Sequence, residues 1–377
     1  MDLGNGCLQA VQGAALATAV TSFHDLPGAV TNEHGVLLHF GELFAEQRRL
    51  ASGGVVPRDD LGVLQLRGDD RLSWLDSLTS QALGDLGVGQ SAETLILDPH
   101  GHIEQVLHVV EDGESAWLIL PRIRIDAARQ WLDRMRFRKD VQLSDVSDAF
   151  AVISQLGEIT VGMPSTAFAW SDPWPNVTSG GFGYADTVAE WTARQWIVPR
   201  DALSAVCAEF SAASVPIAGV LAWQALRIAA GRPDASDLDE RSLPHEYDWL
   251  RTAVHLNKGC YRGQETVAKL HNLGRPPRRL VLLHLDGSDG IIPDPEDEVF
   301  AERDGELRQI GHVTAAARQY ELGPIALALI KRAVPAELAL RVQHGEHALA
   351  ASQQLLLPAD AGPQIDIPRF PRLGVRR

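Results

Sequence analysis

A chain of 377 residues with 45% hydrophobic content carries enough apolar surface for two or three domain cores. Its formal net charge of −15 at pH 7 excludes a general binder of nucleic acid or other polyanions. The three cysteines Cys7, Cys207 and Cys260 are odd in number and far apart, which excludes a disulfide framework and suits a reducing compartment. The first residues include Asp2 and no early Lys or Arg, unlike a secretory signal, and no apolar run approaches the ~20 residues of a membrane span. A cytoplasmic protein with no membrane or direct nucleic-acid partner is expected.

In chain order, residues 1–34 give no clear assignment. LFAEQRRLASGG reads as a short helix ending at Gly53. LGVLQLRG (61–68) is a strand, and DDRLSWLDSLTSQ (69–81) is a helix with Leu72, Leu75 and Leu78 on one face and Asp69 as its cap. ETLILDPHGHIEQVLHVV (93–110) reads as two strands around a Pro-His-Gly turn. A strand over 115–121, a helix over 124–138 with Trp131, Leu132 and Met135 on its apolar side, and a strand over 141–146 follow. The pattern predicts an α+β fold with helices on one face of a sheet. Residues 150–200 are rich in Gly, Pro and Trp and are not assigned. Helices are expected over 198–213 and 215–233. In the second, Ile217, Val220, Leu221 and Ile228 share a face, Gln224 lies in the apolar stripe, and Arg227 lies at its edge. After Arg279, short strand-like runs between acidic or Gly turns predict a small β-barrel or sandwich over 280–377. GRPPRR (274–279) marks the boundary with a region of about two subdomains over 35–279.

KGCYRGQE (258–265) is the stretch with chemistry. Gly259 and Gly263 allow a sharp turn and a close approach to a ligand. ETVAKLHNLG reads as a helix with Val267 and Leu270 inward, so the backbone N–H groups of Gly263 and Gln264 sit where anions are stabilised. Lys258 and Arg262 flank Cys260 and favour its thiolate. A tight turn with a packing cysteine fits the same spacing. From 255 to 279 there are six basic residues (Lys258, Arg262, Lys269, Arg275, Arg278, Arg279) against Glu265, a local net of +5. An island of that sign points to an anionic ligand such as a polycarboxylate or phosphate, or to a solvated face.

Three other patterns carry little. The spacing of His245, His255, Cys260 and His271 fits no zinc motif, so no metal site is expected. Gly87-Val-Gly89 follows a helix rather than a strand and lacks a dinucleotide-binding context. Cys207 reads as a small core residue.

KGCYRGQE, the ALRIAAG helix end, LPHE (243–246) and the following RRL resemble the YgfZ family, folate-binding relatives of the aminomethyltransferase (T-protein) of glycine cleavage. LQLRGDDRLSWLDSLTSQ and GHVTAAARQYELGPIALALIKR extend the likeness over most of 35–335. The resemblance implies a T-protein-like α+β fold with a C-terminal β-barrel and tetrahydrofolate, or a derivative, in a central cavity. It also implies support of iron–sulfur enzymes, including those that thiolate tRNA, with those enzymes or assembly proteins as partners. Residues implied at the folate are Lys258, Gly259, Tyr261, Arg262, Gly263, Gln264, Glu265 and Arg227, with Cys260 as a reactive thiol. A cluster usually takes about four thiolates, so a transient cluster here requires a partner's ligands.

Two departures stand out. Aminomethyltransferases carry two successive aspartates after the hairpin glycine, one of which performs the transfer; here the positions are Glu104, Gln105 and Val106. Strand alternation places Ile103, Gln105 and Leu107 on one face and Glu104 on the other. Gln105 is no general base, so ordinary glycine cleavage is not expected. Relatives also often have Glu at Ala229, an acid that helps hold the pterin. The expected function is therefore a folate-binding accessory of iron–sulfur assembly or repair. The alternative is a folate-dependent one-carbon transferase or demethylase in which Glu104 is the acid.

Overall fold

The computed structural model describes residues 22–303, 305–358 and 362; Cys7 and most of the unassigned N-terminal segment lie outside them. The described chain begins with a short pair, β1 (Val30–Thr31) and β2 (Leu37–His39), then α1 (Leu43–Ala51) and β3 (Gly54–Pro57). Next come β4 (Leu61–Arg67), α2 (Arg71–Leu78), β5 (Ser91–Leu97), β6 (Ile103–Glu111), β7 (Ser115–Pro121), α3 (Ile125–Met135) and β8 (Gln142–Asp145). β9 (Phe150–Leu156), β10 (Phe168–Ser171), β11 (Ala193–Pro199), α4 (Leu203–Ala212), α5 (Val220–Ala229) and α6 (Gln264–Leu273) follow. The last elements are β12 (Arg278–Leu285), β13 (Glu298–Arg303), β14 (Glu306–Gln319), β15 (Gly323–Lys331), β16 (Leu340–His344) and β17 (His347–Leu355).

Three sheets organise these elements: β5-β6-β7-β4-β8, β10-β11-β9-β3, and the closed barrel β12-β15-β14-β13-β16-β17. The chain is thus α+β with a C-terminal barrel. In the first sheet one face carries Leu64, Leu66, Leu107, Val109 and Leu118, and it packs on Leu75 of α2 and on Ile125, Ala128 and Leu132 of α3. Each such fully buried aliphatic side chain contributes about 1.5–3 kcal/mol. Barrel strands β12 and β15 are apolar on both faces because both are covered, whereas β13, β16 and β17 turn one face to solvent. Val281, Leu283, Ala326 and Ala328 fill the barrel, while Leu280, Leu282, Leu327 and Leu329 join the central core.

Several expectations shift. The residue flanking the start of α2 is Asp70 rather than Asp69, and the Asp70 carboxylate accepts from the Lys139 ammonium and the Asp140 N–H instead of capping. α5 starts only after Gly219, since Ile217 bridges to Val55 in extended conformation. Leu221 faces outward at 41% exposure, and the buried face is Ala222, Trp223, Ala225, Leu226, Arg227 and Ile228. The unassigned 150–200 stretch supplies three of the four strands of the second sheet. Its apolar side chains are spread over three different cores, which blurs any single periodicity.

Candidate functional site

The hairpin β5–β6 builds the wall from which the site is assembled. Leu97 pairs with Ile103 and Ile96 with Gln105, so Glu104 is an extra residue at a bulge. A bulge re-aims the side chains beyond it. The expected common face of Ile103, Gln105 and Leu107 is therefore wrong: Ile103 belongs with Val106 in the central core, and Leu107 lies on the opposite face beneath α3. Val106 and His108 are turned toward the centre of the molecule, where they meet a small, closely walled cavity.

That inner cavity encloses about 50 Å3 and is lined by charged groups and tryptophans. A water needs roughly 10–15 Å3, so this space has room for a few waters. Glu93 is its hub: it accepts from Arg232 at 2.7 Å, from the Trp249 indole at 3.1 Å and from the Thr252 hydroxyl at 2.5 Å. Arg232 also donates to both oxygens of Asp172, and Asp172 accepts from the Trp191 indole. His108 Nδ1 lies 2.7 Å from Gln195 Oε1, and its ring stacks on Trp170 at 3.7 Å. Burial alone would raise the Glu93 carboxyl, but Arg232, His108 and Thr252 overcome it and hold the group down at about 2.

Arg227 lies in the same wall rather than at a helix edge. It is 2% exposed, donates to Asp237 and to the Arg232 carbonyl at 2.7 Å, and its Nη2 is buried with no partner. Such a donor costs about 1–3 kcal/mol unless something accepts from it.

A second, outer cleft of about 670 Å3 shares Val106 and Ala235 with the inner cavity. Cavities of roughly 300–1,000 Å3 hold cofactor-sized ligands. Its walls include Asp98, Glu104 and Gln105 of the hairpin, Trp131 of α3, and Leu238, Asp239 and Glu240. The donor set suits a folate: carboxylates can accept from a pterin's amino and ring N–H groups, Trp131 offers a flat apolar surface, and Arg124 and Arg134 offer charge for carboxylates.

KGCYRGQE packs on this hairpin. Gly263 begins α6 at a φ of +82°, and a Cβ there would stand 2.6 Å from the Asp98 carbonyl oxygen. Gly259 meets no such constraint, with nothing within 4 Å of a built Cβ. Lys258 is an internal strut: its ammonium donates to the carbonyls of Asp76, Thr79 and Gln81 at 2.6, 3.0 and 2.7 Å and lies 3.2 Å from the Asp76 carboxylate. Its three N–H donors are thereby used, which leaves none for a ligand. Gln264 closes the loop onto the Lys258 carbonyl, and Tyr261 is buried beneath it. Arg262 reaches the cleft by pairing with Glu104 at 2.9 Å, its guanidinium 5.7 Å from the Trp131 ring centre. Cys260 and Glu265 are exposed. The structure thus brings Glu104 and Arg262 together at the cleft and places Arg227 in the inner cavity.

Four of the six basic residues of the island are engaged within the chain, three of them with acids. Besides Lys258 and Arg262, Arg278 pairs with Asp239 and Glu246, and Arg279 donates to the carbonyls of Arg332 and Val334. Ala229 lines neither cavity but a third pocket, with Trp174, Tyr247 and Leu356. Sequence reading missed Glu93, His108, Asp172 and Arg232. Alternation back from Leu97 would have put Glu93 on the inner face, and the tryptophan-rich 150–200 stretch was the other available sign.

No family model matches the chain. It is 24% identical over 246 residues to a chloroplastic protein of Arabidopsis thaliana that carries a transferase name, covering 61% of this chain and 56% of that protein. It is 26% identical over 319 residues to the tRNA-modifying protein YgfZ of Edwardsiella ictaluri, covering 80% of this chain and 90% of that one. Among solved structures, aminomethyltransferase T of the glycine cleavage system from Bartonella henselae superposes with a TM-score of 0.70 at 16% identity, over 90% of this chain and 96% of that one. The fold is that of the T-protein.

Proposed function

We propose that this chain, a YgfZ-family relative of the T-protein, binds a reduced folate in the outer cleft and supports iron–sulfur enzymes, including those that thiolate tRNA, as a binding accessory with Cys260 as its reactive thiol. One observation carries the reading: the bulge turns Val106, not a carboxylate, into the wall between the two cavities. The aminomethyltransferases resembled by this hairpin carry their acid among the positions equivalent to Glu104, Gln105 and Val106, and neither glutamine nor valine can manage the amine's proton. The cleft beside it keeps the volume and the donor set for a folate. A bound tetrahydrofolate supplies a reduced pterin that carries one-carbon units. Trp131, Ile103 and Leu238 would cover its ring, and Asp239 and Glu240 would accept from its N–H groups. Cys260 stays accessible to a partner.

Anaerobic calorimetric titration with tetrahydrofolate tests the ligand. Wild type is expected to bind at micromolar concentration, and Val106→Trp, which fills the shared wall, is expected to abolish binding while the protein remains folded. Cys260→Ala tests the thiol: it should retain folate and lose rescue of an iron–sulfur enzyme defect, and full rescue would remove the thiol from the reading. A second reading rests on Glu104, whose carboxylate lines the cleft: one-carbon transfer with Glu104 as the acid. Folate-dependent turnover of an N-methyl or aminomethyl donor that Glu104→Gln abolishes would establish it.

A further inference from the structure

Strand β14 outruns β15, and we infer that its open edge receives an extended acidic segment of a partner protein by strand addition. β14 pairs with β13 from Glu306 onward but with β15 only from Gly311, so Glu306 to Ile310 have a neighbouring strand on one side alone. No other backbone segment hydrogen-bonds to them among the described residues. In an antiparallel ladder successive residues turn their N–H and C=O groups alternately toward the paired strand and away from it. The Gln309 carbonyl turns away, since it accepts from the Lys331 ammonium at 2.9 Å. Leu307, two residues back, presents its backbone groups to the same side. Ile310 is the extra residue of a bulge between the pairs Phe300–Gln309 and Val299–Gly311, and β15 takes up the ladder just beyond it.

A pocket of about 210 Å3 lies along this edge, between β14 and the turn that follows β15. Its apolar lining includes Ile310, Val334 and Leu338. Its charged lining is Arg303, Arg308 and Lys331, with no carboxylate among them. In a chain of net charge −15 that is a local field of the opposite sign, and it selects an acidic partner. A second copy of this chain would set the same cations against themselves, which disfavours edge-to-edge pairing of two copies. Arg308 pairs with Glu306 at 2.9 Å, but both side chains are more than half exposed, so water screens the pair and leaves the guanidinium usable. Lys331 blunts the edge in the free protein by holding the Gln309 carbonyl. An incoming strand replaces the ammonium at that carbonyl with its own N–H, and an acid of the segment takes the released charge. Successive side chains of a strand point to opposite faces, so a segment that alternates aliphatic and acidic residues sets one kind over the apolar lining and keeps the other at the rim.

Fluorescence anisotropy with the intact chain and a short labelled peptide alternating glutamate and valine tests this. Wild type should bind it, a lysine–valine peptide should not bind, and the complex should weaken as salt approaches roughly 1 M. Two further versions carry N-methyl groups on the valine nitrogens or on the glutamate nitrogens and leave the protein untouched. Only one edge of the peptide faces β14, so one version should lose binding and the other keep it. The double variant R308Q/K331Q should weaken the glutamate peptide about tenfold, the worth of two screened charge pairs. Gln309→Pro, which removes an outward N–H at an open edge, should abolish binding while the protein remains folded. R122Q, outside the barrel, should change nothing. Absence of binding by wild type up to about 1 mM overturns the inference. So does equal binding of the lysine peptide, or of both N-methylated versions. Concentration-dependent dimerisation of wild type that Gln309→Pro abolishes would make the edge a contact between two copies and overturns the acidic partner. Folate titration is independent of each of these outcomes.

Discussion

Arg262 and Glu104 meet at 2.9 Å, and that pair ties the glycine-rich loop carrying Cys260 to the bulge that re-aims β6. Both side chains are about one-third exposed, at 33% and 38%, so water screens the pair. Glu104→Gln is therefore expected to change stability by no more than about 0.5 kcal/mol. The same change should alter folate affinity, because Glu104 lines the cleft. Chemical denaturation and titration separate the two effects, and a stability loss above about 2 kcal/mol would make the pair a structural clamp.

The two glycines of the loop should behave differently. Gly263→Ala forces a Cβ into the left-handed region at a φ of +82° and against the Asp98 carbonyl. It is expected to cost about 1–3 kcal/mol. Gly259→Ala meets open space and should stay within about 0.5 kcal/mol of wild type. Equal losses at both positions in urea unfolding would refute this assignment.

Removing one member of the inner charge network should be costly. Glu93 is held at about 2, below its ordinary 4.5. Its stabilising contribution is therefore complete above pH 4.5 and is lost as pH falls toward 2. Glu93→Gln should destabilise the protein by about 3–5 kcal/mol near pH 7. The difference from wild type should shrink between pH 4.5 and 2, as followed by urea midpoints. A difference independent of pH would mean that packing, not charge, dominates.

His245 adds a second acid-sensitive element. Burial depresses its imidazole to about 3 from 6.5, with the Val267 carbonyl as its one hydrogen-bond partner among the described residues, so it folds neutral. The unfolded chain binds the proton first, and stability falls as pH drops from 6.5 toward 3. His245→Gln should flatten that limb of the pH–stability curve, and an unchanged slope would refute the assignment.

The cysteines offer a direct check on exposure. Cys260 is exposed and Cys207 is 0% exposed in the core beside Phe210. Iodoacetamide with peptide mapping should label Cys260 in the native protein and Cys207 only on unfolding. Equal native labelling of the two would contradict the packing of α4.

Hairpin β5–β6, helices α2, α3 and α6, and the apolar barrel runs were legible because each repeats its own local period over enough residues to show it. Gly263 was legible because a backbone requirement leaves a residue signature. The bulge at Glu104 was not, since one inserted residue depends on the pairing with Ile96 and Leu97 and leaves no composition of its own. The role of Lys258 was hidden for a related reason. A lysine at the start of a glycine-rich turn reads as a cation for a ligand until three carbonyls from residues 76–81 are seen to surround it.

By itself the sequence determined the fold class, most of the helices and strands, and the position of the glycine-rich loop. The tertiary structure decided which hairpin side chain faces the wall between the two cavities, which basic residues of the island are already engaged, and that Glu93, Asp172 and Arg232 share one buried network. Those facts depend on charges and carbonyls brought together across tens to more than a hundred residues. Electrostatic energy follows distance in space and burial, and neither is written in the order of the chain.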